Sequence, residues 1–388
     1  MLLLAGCFHA AYGNDGVYYV SGSHLVPLQE TDISISKEVL TITLCDDGFA
    51  SVDVAYEMVN NGPAKTVTMG FEANTPYNDG ENFNKSCQHP NIKDFSVVMN
   101  GTPLQYKNGV AKEKDDENTA HIPIDLTKWR EPVEADPGYE ESGADMVHML
   151  FNPATKEYTR YSYVYYFNAN FKSGVNTIHH TYRYEMSYGV GHAFEVPYWL
   201  TPAMRWANHR IDDFTLRISA DNTNKHFLVD GKCFLGSPFK VVSGKGKVRK
   251  LAKTDYMEEM WEVTLRNGVV EWHARNFTTD DDMCINSADI IYQPAKDCAL
   301  YYDSGPTYVP FYVSNGNVLS VFGKGLQNEA FAKRIRRNLP YAHRGYVFKD
   351  KQLKAIFESQ WWYMPDPSFT PTQGTFLPHE TKLMEENK

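Results

Sequence analysis

The chain has 388 residues, of which 42% are hydrophobic, 22% charged and 14% aromatic. This is the balance of an ordinary globular protein and excludes a wholly disordered, collagen-like or coiled-coil chain; the aromatic share leans toward β structure. A formal charge of −10 argues against a general nucleic-acid binder, which needs a concentrated cationic surface.

Met1 to Ala5 is apolar and leads through Gly6 and Cys7 into small residues up to Gly13. Ala11 and Gly13 stand three and one residues before a cut at Asn14, the small-x-small pattern of a secretory signal. Residues 1–13 are therefore expected to be an export signal, with Asn14-Asp15-Gly16 as the mature start. Leu4-Ala5-Gly6-Cys7 also resembles a bacterial lipoprotein box, which would make Cys7 a lipidated residue. In both readings no Lys or Arg precedes the apolar run. No later stretch reaches the ~18–20 uncharged apolar residues of a spanning helix. The expected address is extracytoplasmic, in the periplasm or on the surface of a bacterium, with membrane attachment only through Cys7. Without Cys7, five cysteines remain (Cys45, Cys87, Cys233, Cys284 and Cys298), an odd number that cannot all pair within one chain. Cys284 and Cys298 are close enough in sequence to bridge.

From residue 14 to 187 the pattern is that of strands. Leu40, Ile42 and Leu44 alternate with Thr41 and Thr43; Val52, Val54, Tyr56 and Met58 repeat the period, and after Asn60-Asn61-Gly62-Pro63 so do Val67, Met69 and Phe71. Period-two alternation puts one face in a core and the other in water. Phe95, Val97 and Met99 follow, ended by Asn100-Gly101, a dipeptide suited to tight turns. Between residues 108 and 158 prolines, glycines and acids cluster, among them Glu131 and Asp136, and predict a long solvated loop. Tyr161, Tyr163, Tyr165 and Phe167, then Ile178, His180, Tyr182 and Tyr184 after Ser173-Gly174, predict an aromatic hairpin. Val196 to Trp206, with Trp199 and two prolines, reads as an irregular connection.

A second β region is expected over 188–300: Phe214, Leu216 and Ile218 alternate, and Trp261, Val263 and Leu265 face Val270 and Trp272 across Asn267-Gly268 in hairpin style. Gly244-Lys245-Gly246 reads as a turn. Turn-rich residues 301–325 are taken as a linker. From Leu326 to Arg337 a helical pattern appears, with Pro340 expected to end or kink it. Asp350 is a plausible N-cap for a second helix with Leu353, Ile356 and Phe357 as its buried stripe, and Pro378 to Glu386 reads as a polar helix. The expected fold class is mainly β, one or two antiparallel sandwiches followed by a small α-helical domain at 326–388.

In that last domain, Tyr341-Ala342-His343-Arg344-Gly345-Tyr346-Val347-Phe348, with Leu353, Phe357, Glu358-Ser359-Gln360 and Trp361-Trp362-Tyr363-Met364-Pro365, resembles the signature of the YARHG domain family. The family pattern reads Tyr-Ala-Arg-His-Gly; here His343 and Arg344 are transposed. The resemblance implies a bacterial, extracytoplasmic setting and no defined ligand or activity. More weakly, Asn14-Asp15-Gly16 and Asp32 to Glu38 resemble bacterial exported β-sandwich domains of uncharacterised function. From the residues themselves, Gly345 can take a left-handed cap conformation, and Trp362, Tyr363, Tyr346 and Phe348 can form a small aromatic core. His343 and Arg344 read first as internal hydrogen-bond and ion-pair partners. The alternative is a cationic binding spot formed with Arg334, Arg336, Arg337 and Tyr341.

Motifs for catalysis are sparse. The sequence contains no H-E-x-x-H, G-x-S-x-G or Walker loop, and no cofactor is expected. Asp280-Asp281-Asp282 lacks the spacing of a calcium loop and reads as a solvated turn. His179 and His180 point to opposite faces of a strand, so they cannot grip one metal together. These features point to a non-enzymatic exported envelope protein whose C-terminal domain binds cell-wall glycan or another envelope protein. The alternative is an exported hydrolase of glycan or peptide, with Trp199 and Trp206 stacking on sugar and paired carboxylates as acid and base; core packing is the plainer reading of both tryptophans. A purely structural scaffold is a third reading that sequence cannot separate from the first.

Overall fold

The structure, a computed structural model, describes residues 22–27, 32–74, 83–112, 123–139, 149–189, 192–253, 258–287, 291–293, 298–300, 329–358 and 360–388. The export signal with Cys7, Asn14-Asp15-Gly16 and the linker at 301–325 lie outside the described residues, as does the side chain of Cys298.

The strands, in chain order, are β1 (Gly22–Pro27), β2 (Ile33–Leu44), β3 (Phe49–Asn60), β4 (Lys65–Asn74), β5 (Ile92–Met99), β6 (Thr102–Pro103), β7 (Lys107–Lys112), β8 (Met149–Asn152), β9 (Glu157–Phe171), β10 (Gly174–Glu185), β11 (Ser187–Gly189), β12 (His192–Tyr198), β13 (Ile211–Ala220), β14 (Lys225–Asp230), β15 (Lys240–Leu251), β16 (Met260–Phe277), β17 (Met283–Ser287), β18 (Ile291–Gln293) and β19 (Cys298–Leu300). Three helices follow: α1 (Glu329–His343), α2 (Lys351–Glu358) and α3 (Pro378–Glu386).

The protein is mainly β, as the alternation predicts. One layer runs β6-β5-β10-β3-β2-β13-β16 and the other β7-β9-β4-β1-β12-β17-β14-β16. Side chains from both meet in one apolar cluster that includes Ile42, Val54, Phe71, Tyr182 and Trp272. Most pairs are antiparallel, but β2 lies parallel to β13 over nine residue pairs, Ile35 with Ile211 through Leu44 with Ala220. Parallel pairing needs a long crossover, here the whole of β3 to β12.

Two expected hairpins are absent. β9 and β10 do not pair: β9 joins β4 and β7, whereas β10 joins β3 and β5. Ser173-Gly174 therefore carries the chain from one layer to the other. Asn60, at the matching crossing from β3 to β4, donates to the carbonyls of Pro63 and Lys172, and Asn176 donates to the same Lys172 carbonyl at 2.9 Å. Both asparagines are fully buried, and burial of such amides is tolerated because they take up backbone groups that the arches leave unpaired.

At Asn267-Gly268 there is likewise no reversal. β16 continues for 18 residues. Its first half pairs with β14 and its second half with β13, with β15 along the other edge. Asn267 has φ of 45°, so the dipeptide bends the strand from one layer into the other. Gly244, read as part of a turn, is a bulge within β15: its φ is 71° and a Cβ there would sit 1.9 Å from the Asn267 carbonyl oxygen. The same left-handed preference that marks hairpin turns marks strand bulges, and only the pairing partners distinguish them.

Residues 108–158, expected to be a solvated loop, hold more structure where they are described. Val110, Ile124, Leu150, Tyr161 and Tyr163 form a second apolar cluster. Arg130 grips the acidic Asp136 with both terminal nitrogens, at 2.7 and 2.6 Å. Pro340 neither ends nor interrupts α1, which runs on to His343. Asp350 accepts the amides of Gln352 and Leu353 and caps α2 as predicted. Among the described residues no helix is long and apolar enough to cross a membrane. Cys45, Cys87 and Cys233 carry free thiols.

One carboxyl lies in the middle of the main core. Glu38 is fully buried and stands opposite Tyr56 in the β2–β3 register. Tyr56 and Tyr198 are hydrogen-bonded to each other, and burial pushes both phenols up. Burial pushes the Glu38 pKa up to about 8, so at neutral pH the folded protein holds a proton there that the unfolded chain has released. Stability against this group is complete below the unfolded value of 4.5 and falls as pH rises through about 8. Replacement Glu38→Gln is expected to remove that slope. Between pH 5 and pH 9 the variant should gain stability relative to wild type by up to about 4 kcal/mol, read by urea denaturation at the two pH values. Parallel pH profiles for the two proteins would show that Glu38 stays ionised in the core.

Candidate functional site

The C-terminal domain is built around the transposed pair. α1 ends at His343, and Gly345 takes φ of 81° while the Tyr346 amide donates back to the Tyr341 carbonyl at 3.0 Å. This is the left-handed C-cap that the sequence predicts. Arg344 turns inward. Its Nη1 and Nη2 donate to Glu380 Oε1 and Oε2 at 2.6 and 2.8 Å, and Nη1 also reaches the Pro340 carbonyl. Glu380 Oε2 in turn accepts the Leu377 amide at the start of α3. A buried bidentate pair of this kind ties the end of α1 to α3. The His343 ring lies edge-on to Trp362 at 5.5 Å. Phe348 stacks on Phe357, and Tyr363 donates to the Tyr346 carbonyl. The aromatic core is the one expected from the motif.

This unit does not stand free of the sheets. Alternation along β14, β15 and β16 sends Phe227, Val229, Val263 and Leu265 into the main core. The opposite face presents His226, Glu262, Thr264 and Arg266, with Lys245, Lys247 and Arg249 along β15, and Asn224 just ahead of β14. By sequence that is a solvent face. In the structure Trp361 to Met364 lie across it, and Asn224, His226, Glu262, Thr264 and Arg266 are all buried.

Every backbone carbonyl of that segment is taken by a side chain from the sheet. Lys247 Nζ donates to the carbonyls of Trp361 at 2.8 Å and Tyr363 at 3.0 Å. Asn224 and Thr264 both donate to the Trp362 carbonyl at 3.3 Å. Arg266 reaches the carbonyls of Met364 at 3.0 Å and His343 at 3.3 Å, and Lys245 pairs with Asp366 at 2.5 Å. That pairing holds the Asp366 carboxyl down at about 2.

Beneath Trp361 lies a hydrogen-bonded triplet. His226 Nε2 is 2.6 Å from Glu262 Oε1, and Arg249 donates to the other oxygen. Burial alone would raise the Glu262 carboxyl, but His226 and Arg249 outweigh it and hold it below the usual range. Arg249 packs against the Trp361 ring at 4.5 Å, and His226 lies 5.6 Å from it. The arrangement can bind and orient a backbone; Trp361 covers His226 and Glu262, which are buried, while Arg249 stays exposed at the edge.

The candidate residues separate into two groups. His343 and Arg344 are buried inside the domain, and Arg334 is paired with Asp350 at 2.7 Å. Tyr341 is half-buried against Tyr346 and Phe376. Arg337 alone of the named set is exposed. Trp206 is 1% exposed in the main core, where it cannot stack on a sugar, and Trp199 is half-buried. The structure brings Tyr341, His343 and Arg344 together and leaves the two tryptophans apart from them in the β region. Asp282, from the acidic triplet, accepts the amides of Leu200 and Thr201, and among the described residues no three His, Cys, Asp or Glu side chains converge on a metal site. The seam residues Asn224, His226, Glu262, Thr264 and Arg266 escaped the sequence reading, because alternation shows that a face is polar but not what covers it.

Two substitutions test this construction. Arg344→Met leaves the Glu380 charge buried without its partner and is expected to destabilise the domain by about 3–5 kcal/mol, seen as an earlier unfolding step in near-ultraviolet circular dichroism. Gly345→Ala forces a left-handed residue, costing about 1–2 kcal/mol. It also places a Cβ 2.5 Å from both the Arg266 guanidinium and the Met364 carbonyl oxygen. Limited proteolysis should then cut the C-terminal domain from the sheets sooner than in wild type; an unchanged digestion pattern would mean the seam is not closed as described.

Comparison with known proteins adds one firm point and several remote ones. A candidate nutrient-binding protein from Legionella pneumophila is similar over 97% of this chain and 100% of its own, with 16% identity and a TM-score of 0.49. An M1 zinc metallopeptidase from Deinococcus radiodurans matches 71% of this chain and 47% of its own, with 8% identity and a TM-score of 0.26. Yeast LTA4 hydrolase matches 68% of this chain and 30% of its own, with 9% identity and a TM-score of 0.22. The chain thus spans less than half the length of these two enzymes, and at such scores none of the three lends it a function. No curated protein matches its sequence. Residues 327–386 match the YARHG domain family, and together with the transposed motif, its glycine cap and its aromatic core this makes the C-terminal part of the chain a YARHG domain.

Proposed function

We propose that the chain is an exported, non-catalytic binding protein of the bacterial envelope, in which the YARHG domain is fastened to the β region and presents a basic face to an acidic component of the cell surface. The small-x-small start and the family's bacterial, extracytoplasmic setting support the address. In this reading residues 1–13 are cleaved, or held in the membrane by lipid at Cys7, and residues 301–325 link the β region to the domain.

The observation that carries the reading is the charge left over once the domain is folded and seated. Residues 327–388 hold ten Lys and Arg against seven Asp and Glu, a net +3 in a chain of −10. Arg334 and Arg344 are spent on Asp350 and Glu380, and Arg336 reaches Asn387. Lys333 and Arg337, one turn apart on α1, remain exposed, as do Lys349 and Lys351 on either side of Asp350, and these four pair with no acid among the described residues. The Arg334–Asp350 bond sets the start of α2 beside α1, so the four cations share one region. An acidic polymer, whether phosphate-bearing or carboxylate-bearing, fits this surface.

The test is co-sedimentation of the mature chain with purified peptidoglycan and, separately, with lipopolysaccharide. Retention on at least one is expected, weakening as salt is raised. The double variant Lys333→Glu, Arg337→Glu should lose it without loss of folding, since both side chains are exposed. Absence of retention on both, or retention indifferent to salt and to the charge reversal, would refute the proposal.

A further inference from the structure

An open groove of about 540 Å³ lies on the β region, lined by Ser86, Leu104, Gln105, Tyr106, Lys107 and Asn108. It shares no residue with the basic face of the YARHG domain. Its walls are the connection from β6 to β7 and the loop that precedes β5. We infer that this groove is a saccharide-binding subsite, with Tyr106 as the stacking platform.

Four observations carry the inference. The first is the aromatic ring itself. Tyr106 is 38% exposed, one of few large apolar side chains on the surface among the described residues. Its other side is anchored, edge-on to Phe95 at 4.9 Å and tilted against Tyr165 at 5.6 Å. Phe95 packs in turn on Phe71 in the core, at 5.0 Å. A platform rooted in this way loses little side-chain freedom when a ligand stacks on it.

The second is the polar lining. Gln105 offers donors and an acceptor in solvent. Asn108 lies half-buried at the edge of the groove, with its Oδ1 below the surface. Ser86 donates to Asn84 and accepts the Gln88 amide at 3.4 Å, leaving one lone pair on its Oγ. The third is the fixed backbone: the Leu104 amide donates to the Val97 carbonyl at 2.9 Å, and Lys107 and Asn108 pair in register with Tyr166 and Tyr165 of β9.

The fourth is what the combination rejects. A simple anion would use Lys107 and leave the ring idle. A purely apolar ligand would cover Gln105 without satisfying it, at a cost. A pyranose has a C–H face for the ring and hydroxyl or acetamido groups for the amides, so it uses both. An open groove also suits one or two units of a longer chain better than an enclosed small molecule.

The probe is chitotetraose, a soluble β-1,4-linked N-acetylglucosamine oligomer, titrated into the full chain by calorimetry. Saturable binding is expected. Tyr106→Ala should weaken it about tenfold or more and Tyr106→Trp should keep it, with near-ultraviolet circular dichroism verifying the fold of each. Gln105→Ala should weaken binding by a smaller factor. The Lys333→Glu, Arg337→Glu double variant should bind the oligomer as wild type does, which separates failure at this groove from failure at the basic face. No saturable binding up to about 10 mM, or equal affinity for wild type and Tyr106→Ala, would overturn the inference.

Discussion

The carbonyl row of Trp361 to Met364, laid across the polar face of β14 to β16, is the contact on which the arrangement of this protein depends. An extended backbone pressed against a sheet must find donors for its carbonyls, since an unmet buried carbonyl costs about as much as a lost hydrogen bond. Here the donors are Lys247, Asn224, Thr264 and Arg266. The reverse holds for the sheet. Thr264 and Arg266 would be ordinary solvated side chains on an exposed strand, and they become buried only because the domain supplies acceptors. Neither surface is satisfactory dry without the other.

That mutual dependence gives the YARHG motif a physical meaning in this chain. Its glycine is required twice, once for the left-handed cap of α1 and once because the Arg266 guanidinium occupies the space where a side chain would be. Its arginine does not search for a ligand but locks α1 to α3 through Glu380. Transposing His and Arg leaves both buried and both in contact, one on Trp362 and the other on Glu380. The residues that give the domain its name therefore build and seat it, and the charges free to meet a partner are the plain lysines and arginine on the outside of α1 and at the start of α2.

Buried polar groups recur through the β region and do comparable work. Asn60 and Asn176 hold the two arches where the chain changes layer. Lys225, wholly buried, donates to Asp46 at 2.7 Å and to Thr223, tying β14 to the turn between β2 and β3. Glu38 differs from these, because burial holds its proton on rather than an opposite charge holding it off. In each case the group restricts which strands can lie together, a role that apolar packing alone performs less selectively.

Much of this fold could be read from the sequence because alternation, caps and apolar stripes are local. Leu40 to Leu44, Val52 to Met58 and Tyr161 to Phe167 declare strands without reference to any partner, and Asp350, Gly345 and the stripe Leu353, Ile356 and Phe357 declare the helical domain. What a local pattern does not contain is the identity of the neighbour. Asn267-Gly268 and Ser173-Gly174 carry the chemistry of a hairpin, yet the chain bends at the first and changes layer at the second, since a left-handed residue serves a turn, a bulge or a crossing equally well. Likewise Glu262, Thr264 and Arg266 announce a polar face, and only a segment a hundred residues away, folded across it, decided that this face would be dry.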